Sequence, residues 1–141
     1  MRILKTLTLA LAASFAATLV IAAEPGGPAW HTDVGTAWRA AQNERRPLLV
    51  FVTRDNCFFC VKMKRGTLVD PRVAAAIHAG YVPLMVDATQ PSPLTKELAV
   101  SAFPTTFVIS PDAIVLDRID GYVAPDALST RLAMRDRTAR P

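Results

Sequence analysis

Leu48-Leu49-Val50-Phe51-Val52 is an unbroken apolar run that Pro47 introduces and the polar segment Thr53-Arg54-Asp55-Asn56 closes. A strand with one wet face alternates apolar and polar residues, and a helix needs about ten residues or more. A run this short and uniform therefore predicts a strand buried on both faces. Such a strand needs helices on either side, and the flanking sequence supplies them. Asp33 is an N-cap candidate for a helix whose apolar stripe is Val34, Ala37, Trp38 and Ala41. Asp70-Pro71 opens a second helix with Val73, Ala76 and Ile77 on its buried face and Gly80 at its end. Ser92-Pro93 starts a short helix through about Val100, and Pro125 opens a last one with Leu128 and Leu132 on one face.

Three more segments read as strands: 81–86, 105–109 and 113–119. Pro83 has no N–H for a ladder, so its strand belongs at a sheet edge. The last two strands are joined by a tight turn at Pro111-Asp112 and form an antiparallel hairpin, while Gly121 ends the sheet. Strands joined through a helix pair in parallel by a right-handed crossover. The expected fold is thus α/β: a mixed four-stranded sheet, five-stranded if one more segment joins, with helices on both faces. Trp30 and Trp38 are expected as core anchors.

Residues 1–23 read as a secretion signal. Arg2 and Lys5 make a basic start, residues 7–23 are apolar and uncharged, and Ala22-Ala23 supplies small residues for cleavage. The alternative is an uncleaved membrane anchor, for which this Ala-rich stretch lies at the short limit of the roughly 17 to 25 residues that a spanning helix needs. No cysteine lies in or beside the signal to carry a lipid. Cleavage leaves 118 of the 141 residues, enough for one domain with a real core. The expected organisation is signal 1–23, Pro/Gly linker 24–29, domain 30–136 and tail 137–141. The formal charge of +4 falls to +2 once Arg2 and Lys5 are removed, which argues against nucleic acid as a partner. The basic end from Arg131 to Arg140 reads as a solvated helix terminus or frayed tail.

Cys57 and Cys60 are the only cysteines, placed between the apolar strand and the next helix. A helix N-terminus presents unpaired N–H groups and about half a positive charge, which favours a thiolate at Cys57, the expected nucleophile. Spacing of three puts Cys60 on the same helical face, where it can resolve a mixed disulfide. Arg54, Lys62 and Lys64 add nearby positive charge or are simply solvated. A structural staple is a weak reading, because closing so short a loop removes only ~2 kcal/mol of unfolded-state entropy. Zinc would need two more ligands, and neither His31 nor His78 has ligand spacing. Covalent haem would need histidine where Val61 stands. Two thiolates could still hold copper(I). Downstream, Phe103-Pro104-Thr105-Thr106-Phe107 leads into a strand, and Pro104 is either a cis proline or a plain strand opener. A cis bond would turn the Phe103 backbone outward to pair with an extended substrate, with Phe58, Phe59 and Phe103 as an apolar rim and Pro104 and Thr105 beside it.

These residues resemble the thioredoxin-like superfamily, in particular exported thioredoxin-related proteins and the periplasmic thioredoxin-like domain of the transmembrane disulfide reductase. The resemblance rests on the Arg46–Phe51 run leading to Cys57-Phe58-Phe59-Cys60-Val61-Lys62-Met63, on Asp70-Pro71-Arg72-Val73, on Phe103-Pro104-Thr105-Thr106-Phe107 and on Gly121. It spans about residues 30 to 132 and implies a thioredoxin-like fold, a nucleophilic Cys57, a resolving Cys60 and a cis-proline loop at Pro104. The chain departs from typical thioredoxins at Phe51, where they carry a buried acid, at Asn56, where they carry tryptophan, and at Phe58-Phe59, where they carry Gly-Pro. Without that acid the base for Cys60 is unassigned, with Asp55 or water as the candidates.

The expectation is a periplasmic or otherwise exported thiol-disulfide oxidoreductase that works as a reductant. It needs no cofactor beyond the Cys57–Cys60 disulfide and no metal. Its partners are exported proteins with disulfides and a membrane or soluble thiol electron donor; it meets no nucleic acid, and touches a membrane only through an uncleaved signal. The alternatives are a copper-handling or cytochrome/oxidase assembly protein using the same dithiol, and an interaction module with an idle disulfide.

Overall fold

The computed structural model describes residues 27–139, so the signal segment and the first half of the linker expected before residue 30 lie outside the described residues. Its elements are α1 (Val34–Glu44), β1 (Leu48–Thr53), α2 (Phe58–Lys62), a π-helical turn (Met63–Thr67), α3 (Pro71–Gly80), β2 (Val82–Asp87), α4 (Pro93–Glu97), β3 (Thr105–Ile109), β4 (Val115–Asp120) and α5 (Pro125–Ala139). The four strands lie in the order β2-β1-β3-β4, with β1 and β2 parallel and the other two pairings antiparallel. All six residues of β1 are buried, as its unbroken apolar run requires. Alternate residues of β1 enter different cores. Leu48, Val50 and Val52 pack with Ala37 and Ala41 of α1 on one face, and Leu49 and Phe51 pack with Met63, Val73, Ile77, Leu128 and Leu132 on the other.

The helices begin where their caps stand. The Asp33 carboxylate accepts from the Thr36 N–H at 2.7 Å, and that of Asp70 accepts from the Arg72 and Val73 N–H groups at 2.9 and 3.4 Å. Ser92 and Thr95 form a reciprocal capping box at α4, ahead of a helix of only five residues. Arg46 closes the other end of α3: its Nη2 donates to the carbonyls of Ile77 at 3.3 Å, His78 at 2.6 Å and Tyr81 at 2.7 Å. The Ile77 carbonyl also accepts from the Tyr81 N–H at 2.9 Å, and the guanidinium thus gathers carbonyls around the end of the helix, where the backbone runs short of N–H donors.

Pro83 lies on β2 at the sheet edge, opposite Leu49. A single residue, His31, bridges beyond it, accepting from the Met85 N–H and donating to the Pro83 carbonyl, both at 2.9 Å. The fifth strand is thus reduced to one residue. Trp30 meets Phe51 edge to face, and Trp38 packs against the opposite core. The basic end is not merely solvated, since α5 runs to Ala139 and Arg131 forks onto Asp117 of β4 at 2.6 and 2.7 Å. The Asp117 side chain is only 8 % exposed, so it offers a fixed acceptor that a sequence-local reading of the arginines cannot see.

Candidate active site

The chain leaves β1 through Arg54, Asp55 and Asn56 and turns into α2 within those three residues. Asn56 makes the turn with φ 53°, a left-handed conformation that asparagine tolerates better than most residues. The loop is tied to the end of β2: the Asp55 N–H donates to the Thr89 hydroxyl at 2.9 Å, and that hydroxyl donates to Asp87 at 2.6 Å. These Thr89 bonds hold the Asp87 carboxyl below its ordinary pKa, with Lys64 adding a smaller attraction.

Cys57 is the N-cap of α2. Its sulfur accepts from the Cys60 N–H at 3.2 Å and is bonded to the Cys60 sulfur, with the Cα atoms 5.2 Å apart. Cys57 is half-buried and Cys60 is fully buried. An outside sulfur can therefore reach the first cysteine and not the second. The helical stretch widens into the π turn after Lys62, with Leu68 N–H donating back to the Met63 carbonyl at 2.9 Å, and Met63, Thr67 and Leu68 are all buried beneath it.

Phe58 is 74 % exposed and Phe59 49 %, side by side with rings 5.3 Å apart. Phe59 also meets Tyr122 at 6.0 Å, and Lys62 lies over the Tyr122 ring at 4.4 Å. Across the mouth, Arg54 covers the half-buried Phe103 at 4.6 Å. The Phe103–Pro104 peptide bond is cis. Pro104 and Thr105 are buried; the Thr105 hydroxyl donates to the Ala102 carbonyl at 2.7 Å, and the Pro104 carbonyl accepts from Gly121 at 2.7 Å. The side chain of Thr105 is thus used inside the loop. Arg118 holds the segment ahead of this loop, donating to the carbonyls of Leu98 and Ala99 and to Asp120.

Tyr122, Thr89 and Arg118 complete the site without having been singled out from the sequence. Tyr122 was the one within reach, as an aromatic next to the glycine that ends the sheet. Its position is fixed by the Thr67 hydroxyl, which donates to the adjoining Val123 carbonyl at 2.8 Å. Asp55, a candidate base, is exposed on the loop. The hydroxyls of Thr53, the last residue of β1, and of Thr106, which follows Thr105 in β3, are buried with no hydrogen-bond partner among the described residues. Among the described residues no three His, Cys, Asp or Glu side chains gather as a metal site would require, and no helix is long and apolar enough to cross a membrane.

Comparison with solved structures returns the same architecture. The oxidised C-terminal domain of Neisseria meningitidis DsbD is 22 % identical, matches 75 % of this chain and 98 % of its own, and superposes with a TM-score of 0.64. A thioredoxin from Thermus thermophilus gives 23 % identity, 75 % and 85 % coverage and a TM-score of 0.68. The DsbH oxidoreductase gives 18 %, 81 % and 85 %, and 0.62. At these identities the likeness establishes the fold. None of the curated proteins matches the sequence at a significant level. The model of the thioredoxin-like domain family matches residues 34–134, nearly the whole described domain and both cysteines. With this match, and with Cys57 and Cys60 joined at the head of α2, the chain belongs to the thioredoxin-like domain family as a thiol-disulfide oxidoreductase.

Proposed function

We propose that the protein reduces disulfides in exported proteins by cycling the Cys57/Cys60 pair. The observation that carries this reading is the inequality of the two sulfurs: Cys57 is half-exposed at a helix start and accepts an N–H, while Cys60 is sealed below it. In the reduced protein the Cys57 thiolate attacks one sulfur of a substrate disulfide, forming a mixed disulfide and expelling the other sulfur as a thiolate that takes up a proton. Cys60 then gives up its proton and attacks Cys57 Sγ, releasing the second substrate thiolate. Two electrons pass to the substrate, and the closed pair described above is the product state. A thiol donor, soluble or held in a membrane, returns it to the dithiol.

Export is supported by the basic-apolar-small pattern of residues 1–23. Reduction as the direction is supported by Phe58-Phe59, which places no side-chain charge between the cysteines; a strong oxidant needs its reduced form unusually stabilised. Likeness to DsbH, described as an oxidoreductase, supports a thiol-redox partner. Phe58, Phe59 and Phe103, with Pro104 and Thr105 behind them, receive the substrate segment, and Tyr122 extends that apolar rim.

Insulin reduction with dithiothreitol as donor tests the scheme. Cys57→Ser should abolish turnover, and Cys60→Ser should accumulate a mixed disulfide at Cys57; full activity in Cys57→Ser would reject it. Direction is read from the equilibrium with glutathione, where a potential of about −270 mV marks a reductant and one of about −120 mV an oxidant.

A further inference from the structure

The Thr53 and Thr106 hydroxyls are two of the three buried side-chain polar atoms without a hydrogen-bond partner among the described residues. Thr53 is 5 % exposed and Thr106 1 %. Such groups are rare in a well-packed interior and call for an explanation. They share a location. Leu49 and Phe51 of β1, and Val108 of β3, face the core under α2, so the two-residue period of a strand sends Thr53 and Thr106 to that same face. Thr106 stands directly opposite Phe51 in the β1–β3 ladder, and Thr53 is the next residue of β1 on that side. The helical stretch runs back over the strand it follows: Met63 packs with Leu49 and Phe51, so Cys60, one turn nearer the helix start, is carried over the Thr53 end.

We infer that Thr53 and Thr106 are the polar floor beneath Cys60, with hydroxyls that gain a partner when the disulfide opens and the Cys60 sulfur becomes a thiol or thiolate. This rests on the dithiol cycle proposed above. A disulfide sulfur is a poor acceptor, whereas a thiolate accepts strongly, so the hydroxyls stabilise the reduced form and the attacking state of Cys60. When the Cys60–H bond breaks, its proton leaves to solvent. The new thiolate forms the bond to Cys57 Sγ, and the substrate sulfur leaves with the electron pair. The charged and titratable groups on the segments next to Cys60 are Cys57, Arg54 and Asp55 in the loop and Lys62 and Lys64 on the helical stretch, with Asp87 near Lys64 and Tyr122 under Lys62. None of these is buried, and β1 and β3 beneath bring no acid.

The reduced protein mixed with dithionitrobenzoate separates the steps: Cys57 attack releases one coloured thiolate at a rate set by reagent concentration, and Cys60 attack releases the second at a rate independent of it. In Thr53→Val/Thr106→Val the glutathione equilibrium should move at least about fivefold toward the disulfide, the worth of one hydrogen bond. The second release should slow and its pH profile shift upward, with the first release unchanged. Thr53→Ser/Thr106→Ser should restore both. A Val variant with wild-type equilibrium and pH profile, or a Ser variant as impaired as the Val one, would overturn the inference. Should the double variant fail to fold, the same readings on Thr106→Val and Thr53→Val alone decide it, and no shift in either rejects it. A wild-type protein that releases no thiolate from Cys57 would overturn the dithiol cycle itself.

Discussion

Cys57 and Cys60 carry the same side chain, but half-exposure at a helix start and complete burial give them different chemistry. The same dependence on position holds for Phe58. Because it is 74 % exposed, Phe58→Ala should change stability by less than about 0.5 kcal/mol while raising KM for an apolar peptide disulfide, a split read by thermal melts beside steady-state kinetics. Asp117 shows the effect of charge. The hydrogen bond from Arg131 holds its carboxyl below the ordinary value, attraction to Arg131 and Arg135 and the Arg118 N–H add to this, and burial opposes it. A carboxyl whose folded pKa lies below its unfolded value stabilises the fold above about pH 4, and that contribution is lost as pH falls through the folded value. Asp117→Asn should therefore flatten the acid limb in urea titrations below about pH 4. At neutral pH it should lower stability by about 1–2 kcal/mol, a figure kept small because half of the Arg131 side chain faces solvent.

At the scale of elements, α3 is held at both ends, by Asp70 and by the guanidinium of Arg46 across three carbonyls. Arg46→Ala should lower stability by about 1.5–3 kcal/mol, measured by urea denaturation, since these bonds have a charged donor. The β3–β4 turn holds Ala113 at φ 67°, where glycine fits without a Cβ penalty. Ala113→Gly should add about 0.5–1 kcal/mol after the entropy of glycine is deducted. The caps at Asp33, Asp70 and Ser92, the all-buried β1, the edge position of Pro83 and the hairpin were legible because each is written in neighbouring residues. Cys57 and Cys60 were legible for the same reason. The bracing of Asp55 by Thr89, the docking of Arg131 on Asp117 and the Phe59–Tyr122 contact were not, since each joins residues 14 or more positions apart. The π turn also escaped, because residues 63–67 continue a helical pattern and only the Leu68-to-Met63 bond reveals the wider coil.

For the whole molecule, the two cores on either side of β1 hold the fold without help from the cysteines. Opening a loop this short gives up at most ~2 kcal/mol, so the reduced protein should still melt in one cooperative transition, within about 10 °C of the oxidised form by calorimetry. Redox cycling therefore proceeds on a standing scaffold. The outer border of β2 adds to that independence: the imino nitrogen of Pro83 has no hydrogen to offer, and its carbonyl and the Met85 amide are already engaged by His31. A margin closed in this way leaves a stray chain little to zip onto, so the protein can carry an aromatic mouth at one pole without inviting copies of itself to line up along that flank.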